Sequence, residues 1–181
     1  MSPMRALVLL ALVVGAVFPL SCQVQGNPNP PTLAHTHNQF TFTIAGPYER
    51  VFPLFGALEE RKWSPGWNPQ FAYPDPARDV QGMVFTVEHA GVSAVWTSTA
   101  FDEASGHVQY VYVMSAALVT LVDIHVERAG ATETKVTVVY ERTALKPEAN
   151  ENVNHFARGD AKSGPEWARA INGYLAKAPA K

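Results

Sequence analysis

Between Met83 and Arg142 the sequence alternates apolar and polar residues almost without interruption, and a period of two constrains the middle of the chain to strands. Met83, Phe85, Val87 and His89 alternate with Val84, Thr86 and Glu88, and Ala90-Gly91 marks a tight turn into a run from Val92 to Phe101 that contains Trp96. Ser105-Gly106 precedes a run in which Val108, Tyr110, Tyr112 and Met114 share a face. In the next run Leu118, Thr120, Val122, Ile124 and Val126 share one side, while Asp123, His125 and Glu127 take the other. Ala129-Gly130 then turns the chain into Glu133 to Arg142, where Val136, Val138 and Tyr140 align. Turn signals roughly every 12 residues between such runs predict an antiparallel meander.

The flanks change character. Phe40, Phe42 and Ile44 alternate with Thr41, Thr43 and Ala45, which predicts an opening strand ended by Gly46-Pro47, with Pro47 suited to the first position of a helix. In the stretch VFPLFGALEERKWSPGWNP, Val51, Phe52, Phe55 and Leu58 have helical spacing but Pro53 interrupts it. Two short helical pieces are expected, the second over Leu58 to Trp63, presenting Glu59, Glu60, Arg61 and Lys62 to solvent or to one another. A weak strand at Phe71 to Tyr73 and a Pro/Asp loop through Asp79 follow. Toward the C-terminus Val153, Phe156 and Ala157 have helical spacing, Gly159 to Gly164 weakens it, and Pro165 restarts it with Trp167, Ile171, Tyr174 and Leu175 on one stripe. That stripe requires an apolar bed, and the concave face of a curled sheet is the surface that offers one.

The N-terminus carries an export signal. After Arg5 the chain is apolar to Leu20, about 15 residues, which is shorter than a membrane span and typical of a secretory segment. Residues 1–26 therefore read as a signal peptide, residues 27–36 as a Pro/Asn-rich tether, and residues 37–178 as one domain. Two endings of the signal are consistent with the residues. Cleavage after Gly26 would release a protein without cysteine; alternatively Cys22, the single cysteine, follows Leu20-Ser21 as a lipoprotein anchor would, although Pro19 departs from that pattern. The expected location is periplasmic or secreted, with a membrane-anchored lipoprotein as the variant, so that any contact with a membrane runs through the signal or the lipid. The formal charge of -2 and the absence of a basic run argue against nucleic acid as a partner.

The order of strand, two short helices, six antiparallel strands and a long terminal helix is that of a helix-grip fold, and the chain resembles the SRPBCC superfamily over about residues 40–175. The most specific segments are VFPLFGALEERKWSPGWNP, similar to the lid-and-turn segment of bacterial polyketide cyclase/dehydrase-like members, and the closing WARAINGYL. START-like lipid-transfer and birch-pollen-allergen-like proteins belong to the same superfamily. The resemblance implies an α+β chain whose curved antiparallel sheet wraps a long C-terminal helix, with a deep cavity between them for an apolar small molecule such as a lipid, a quinone or an aromatic compound. It does not imply one reaction.

The candidate ligand contacts are Trp63 and Trp67 in the lid, Phe85, His89, Trp96, Tyr110, Tyr112 and Tyr140 on inward strand positions, and Trp167 and Ile171 on the helix. For the indoles and tyrosines, cavity lining competes with ordinary core packing. His89 is the candidate proton shuttle because it shares a face with Phe85 and Val87, whereas Glu88 points away from it. His125, between Asp123 and Glu127, reads as a solvated strand surface. His35-Thr36-His37 supplies only half of a zinc site, so no metal is expected. Glu59-Glu60 beside Arg61-Lys62 reads as surface ion pairs, with Glu59 or Arg61 bonding to the lid backbone. No phosphate loop, nucleophile elbow or CxxC occurs, and no cofactor is indicated. Three readings stay open: a carrier of an apolar small molecule, a cyclase- or dehydratase-like enzyme using His or Tyr acid-base groups, and a structural protein with a vestigial cavity.

Overall fold

The structure is a computed structural model that describes residues 32–178 except residues 90 and 115 and the side chain of His89. The export segment, Cys22 and the first part of the tether lie outside the described residues. Seven strands, β1 (His35–Ile44), β2 (Gln70–Tyr73), β3 (Val84–His89), β4 (Val92–Asp102), β5 (His107–Met114), β6 (Leu118–Arg128) and β7 (Thr134–Ala144), form one antiparallel sheet in the order β1-β7-β6-β5-β4-β3-β2. The six later strands are a meander, and β1 closes it by pairing with β7 from His35↔Thr143 to Ile44↔Thr134. β1 thus begins five residues before the predicted Phe40. The end of the tether is drawn into the sheet because β7 runs to Ala144 and offers it a pairing edge.

The inner face carries the side chains that the alternation assigned to it. Ile44, Met83, Phe85, Val108, Tyr110, Val122, Ile124, Val136 and Val138 are all buried. A bulge between Ser98 and Ala100 shifts the register of β4 against β5, so that Phe101 joins the inner side to pack on Phe52 at 5.1 Å. Between β1 and β2 the chain makes one turn of α-helix, α1 (Tyr48–Val51), runs on into a 3-10 turn at Phe52–Phe55 and makes a second 3-10 turn at Glu59–Lys62. The interruption predicted at Pro53 is a tightening of the helix, since proline fits the start of a 3-10 turn without losing a bond.

The C-terminal segment is a single helix, α2 (Asn150–Leu175), with Pro165 inside it, and not two pieces with a restart. Two tertiary contacts carry it through the weak region. Asp160 falls on the inward stripe between Val153 and Ile171 and is 4% exposed, and its carboxylate accepts two bonds from Arg142 of β7, at 2.6 and 2.9 Å, and one from Asn38 of β1 at 2.9 Å. Gly164 lets the helix backbone lie against β1, where a Cβ would sit 3.0 Å from the Phe40 ring. Pro165 is on the exposed side of the helix, where the bond it cannot donate costs least because water can replace it. α2 therefore rests along β1 and β7, and the space under β3 to β6 is left for the lid and for a cavity.

Removing one partner of this buried pair strands a charge. Asp160→Ala is expected to cost about 3–5 kcal/mol in urea unfolding, while Arg142→Met with Asp160→Leu recovers most of that loss. Equal losses in the single and double variants would show that the pair itself is not what ties α2 to the sheet.

Candidate functional site

The residues from Leu54 to Trp67 form a lid with little regular structure beyond short 3-10 turns, and side chains meet its backbone instead. The Trp63 indole donates to the Leu54 carbonyl at 2.7 Å, Trp67 to that of Ala57 at 2.8 Å, and the Tyr110 hydroxyl to that of Phe55 at 3.0 Å. From the other side the half-buried Asp79 carboxylate accepts the Leu58 N–H at 2.9 Å. Burial raises its pKa, and the backbone bonds only partly offset that effect. Arg61 donates to the Pro69 carbonyl and closes the SPGW turn, as expected for one of the charged residues there.

Beneath the lid lie two cavities. The inner one, about 200 Å³, is walled by Trp67, Phe85, Trp96, Tyr110, Tyr140 and Trp167 and by Glu60. The outer one, about 410 Å³, lies between the Ser64-Pro65-Gly66 turn, Val87, Tyr112, Met114 and Phe156 of α2. Trp67 and Trp96 belong to both, and their rings meet edge to face at 5.4 Å. Trp96 is held in place by stacking on Tyr112 at 4.1 Å and on Phe85 at 5.8 Å. The outer cavity falls within the usual range for a small-molecule site and the inner one below it, so the interior is not filled throughout by its own side chains.

Most of the predicted ligand contacts converge here: Trp67, Phe85, Trp96, Tyr110, Tyr140 and Trp167 on the inner cavity and Tyr112 on the outer. Trp63 and Ile171 do not. Trp63, 6% exposed, packs between Phe55 and Trp167 with its N–H spent on Leu54, and Ile171 is fully buried under the helix, so both are core residues. His89 pairs with Val92 at the end of β3, and its side chain lies outside the described residues.

Glu60 corrects the sequence reading. Glu59 pairs with Lys62 on the outside, but Glu60 is half-buried and turned to the inner cavity. A 3-10 turn has three residues per turn, so Glu59 stacks over Lys62 and Glu60 over Trp63, and the burial of Trp63 carries Glu60 inside with it. Glu60 is half-buried and lines the inner cavity. Desolvation pushes its pKa up to about 8, a Ser64 hydrogen bond opposes the rise, and the Asp79 charge adds to it. Burial likewise raises the Tyr110 and Tyr140 phenols, with Glu60 among the charges acting on both. Among the described residues the Tyr140 hydroxyl has no hydrogen-bond partner, whereas the Tyr110 proton is committed to Phe55. The inner cavity thus offers the Glu60 carboxyl and the Tyr140 phenol, and its Trp96 wall carries an indole N–H without a partner.

No protein-family model and no curated protein matches this sequence. Solved structures do resemble it. Norcoclaurine synthase from Thalictrum flavum, in complex with dopamine and hydroxybenzaldehyde, superposes with a TM-score of 0.62 at 12% identity, covering 98% of this chain and 100% of that one. The ZhuI aromatase/cyclase from Streptomyces sp. R1128 gives 0.58 at 18% identity over 80% and 95% of the two chains. Ara h 8.0201 gives 0.55 at 17% identity over 80% and 100%. The chain has the helix-grip fold. At these identities the likeness concerns architecture, and the chemistry rests on the cavity itself.

The raised carboxyl makes stability depend on pH with a definite sign. Below the ordinary carboxyl value of 4.5 Glu60 is protonated in both folded and unfolded chains and contributes no pH dependence. Between there and about 8 the unfolded chain has lost the proton while the folded one keeps it, so stability falls as pH rises; above 8 the loss is complete. Glu60→Gln has no proton to lose. Urea midpoints at pH 5, 7 and 9 should show the variant gaining on wild type by on the order of 3 kcal/mol across the window. Parallel profiles would place Glu60 in bulk water.

Proposed function

We propose that this chain is an exported protein that takes an apolar, mainly aromatic small molecule into the space between sheet, lid and α2, and that Glu60 meets the one polar group the molecule carries. The observation that carries the reading is the inner cavity, with four large aromatic residues from β3, β4, the lid and α2 around Glu60. Rings of this kind give apolar contact area and edge-to-face partners for another ring, and a single polar group fixes orientation. Protonated at neutral pH, Glu60 donates to a carbonyl or quinone oxygen, and Tyr140 can donate a second bond. Both donors select a neutral acceptor over a bare hydrocarbon. The resemblance to norcoclaurine synthase, solved with dopamine and hydroxybenzaldehyde, and to an aromatase/cyclase supports an aromatic ligand. Export rests on the N-terminal apolar run, with Cys22 as the anchor in the lipoprotein variant.

A second reading, an acid-base enzyme working on such a ligand, is favoured by one feature. A carboxyl poised at about 8 can give up and take back a proton near neutral pH, as a general acid or base must. His89 was the candidate shuttle from sequence; Glu60 is the group that the cavity presents. In an enzyme, Glu60→Gln would abolish turnover while leaving affinity near that of wild type. In a carrier, the variant alters only binding and its pH profile.

Native mass spectrometry of the protein as purified, and titration with 1-acetonaphthone followed by tryptophan fluorescence, test the carrier reading. A saturable quench is expected, weakened about tenfold or more by Trp96→Ala and falling off in wild type as pH rises through 8, where Glu60 ceases to donate. No saturable quench and no retained ligand, or an effect indifferent to Trp96, would count against it.

A further inference from the structure

The outer face of the sheet carries a second constellation, on the side of β5 and β6 away from the cavity. His107 and His125 are direct cross-strand partners, and Asp123, two residues before His125, lies on the same face. The Asp123 carboxylate is 2.6 Å from His107 Nε2 through one oxygen and 3.2 Å from His125 Nε2 through the other, and one donor atom from each residue can be chosen so that all three lie within 4.8 Å. We propose that His107, Asp123 and His125 form a binding site for a divalent transition-metal ion of the zinc class.

Three observations carry the proposal. The donor set is two imidazoles and one carboxylate, which suits zinc and its neighbours in the series and not magnesium or calcium. The donors sit on paired strands, so their Cα positions are fixed by the sheet ladder and not by a loop. The carboxylate is also supported from behind. Gln109 donates to Asp123 Oδ1 at 3.0 Å, and Thr99 of β4 in turn donates to the Gln109 carbonyl at 2.8 Å, a chain that orients the carboxylate as outer partners orient metal ligands. His35 and His37 lack this arrangement, since His35 meets Thr143 and His37 meets Glu141 singly. Asp102, the cross-strand partner of His107, is occupied by Ser105 and the Ala104 N–H, so water completes the coordination.

Loading requires one rearrangement. The two rings are stacked in parallel, 4.9 Å apart at 4°, and an ion bound to both nitrogens must lie near both ring planes. Metal bonds of about 2.0–2.2 Å place neighbouring ligand atoms about 3.3 Å apart, close to the two histidine–carboxylate distances already present. The stack must therefore open by rotation of a ring. His125, with half of its side chain exposed, is freer to turn than His107, which is 30% exposed.

Zn²⁺ titrated calorimetrically into chelator-treated full-length protein, with Cys22→Ser to remove the single thiol, tests the site. One equivalent should bind with micromolar affinity. His107→Ala, His125→Ala and Asp123→Asn should each weaken it at least about tenfold, Gln109→Ala by about 10–100-fold, and His37→Ala not at all. Circular dichroism confirms that each surface variant is folded, and the imidazole nitrogen resonances of His107 and His125 should both move on loading. Binding no tighter than millimolar, or an equal loss in His37→Ala, would overturn the proposal and leave the cluster as a hydrogen-bonded histidine–aspartate group.

Discussion

Backbone carbonyls of the lid accept hydrogen bonds from aromatic side chains, and the cavity depends on that arrangement. Short 3-10 turns leave carbonyls without partners, and in a buried lid each must find one. Leu54, Phe55 and Ala57 find theirs in Trp63, Tyr110 and Trp67. Such donors have a polar edge and a large apolar face, so the group that satisfies the lid backbone also supplies aromatic surface. For Tyr110 and Trp67 that surface is cavity wall, and for Trp63 it is core against Trp167. Asp79 completes the attachment by accepting from the lid's N–H side, and Gly56 is required beside it, because a Cβ there would lie 2.2 Å from its carboxylate.

The inner face of the sheet is divided along one row of cross-strand partners: Thr36, Arg142, Thr120, Tyr112, Trp96 and Phe85, from β1 across to β3. On one side of the row lies the main hydrophobic cluster, and on the other a small cluster of Leu118, Ala144, Ala149 and Val153. The row itself is polar toward β1 and aromatic toward β3. Among the described residues, the four buried side-chain N and O atoms without partners, Thr36 Oγ1, Arg142 Nε, Thr120 Oγ1 and Trp96 Nε1, all belong to it. Unpaired buried groups are costly, and their concentration in one row marks where the interior departs from a hydrophobic core. Arg142 anchors this polar half, held by Asp160 and stacked over the Tyr140 ring at 4.2 Å.

The architecture was legible in the sequence because strand faces follow a period of two, and most side chains that the alternation sent inward are buried, with Phe40, Tyr112, Met114 and Tyr140 half-buried. Partners distant in sequence were not legible. The helix through Gly159 to Gly164 depends on Arg142 meeting Asp160 and on Phe40 meeting Gly164, contacts that no local spacing announces. His107 escaped notice for the same reason, since a metal site spread over two strands shows only as Asp-x-His on one of them. Glu60 was misread for a different reason. In Glu-Glu-Arg-Lys every residue is charged, and composition suggests a solvated face. The spacing from Glu60 to Trp63 held the contrary signal, because in a 3-10 turn those two share a side and an indole on a lid is pulled inward.

The three inward carboxylates bear very different loads, which bears on what Glu60 is for. Asp160 binds α2 to β7 and β1 through three hydrogen bonds. Asp79 binds the lid backbone. Glu60 has a Ser64 hydrogen bond and otherwise faces the cavity, and desolvation drives it toward the neutral form at the expense of stability as pH rises. A glutamine or leucine there would fill the space without that loss, because neither has to surrender a proton in the unfolded chain. A group that costs stability and ties no element to another is what the proposed ligand would account for, since strongly shifted carboxyls in clefts are candidates for binding and proton chemistry.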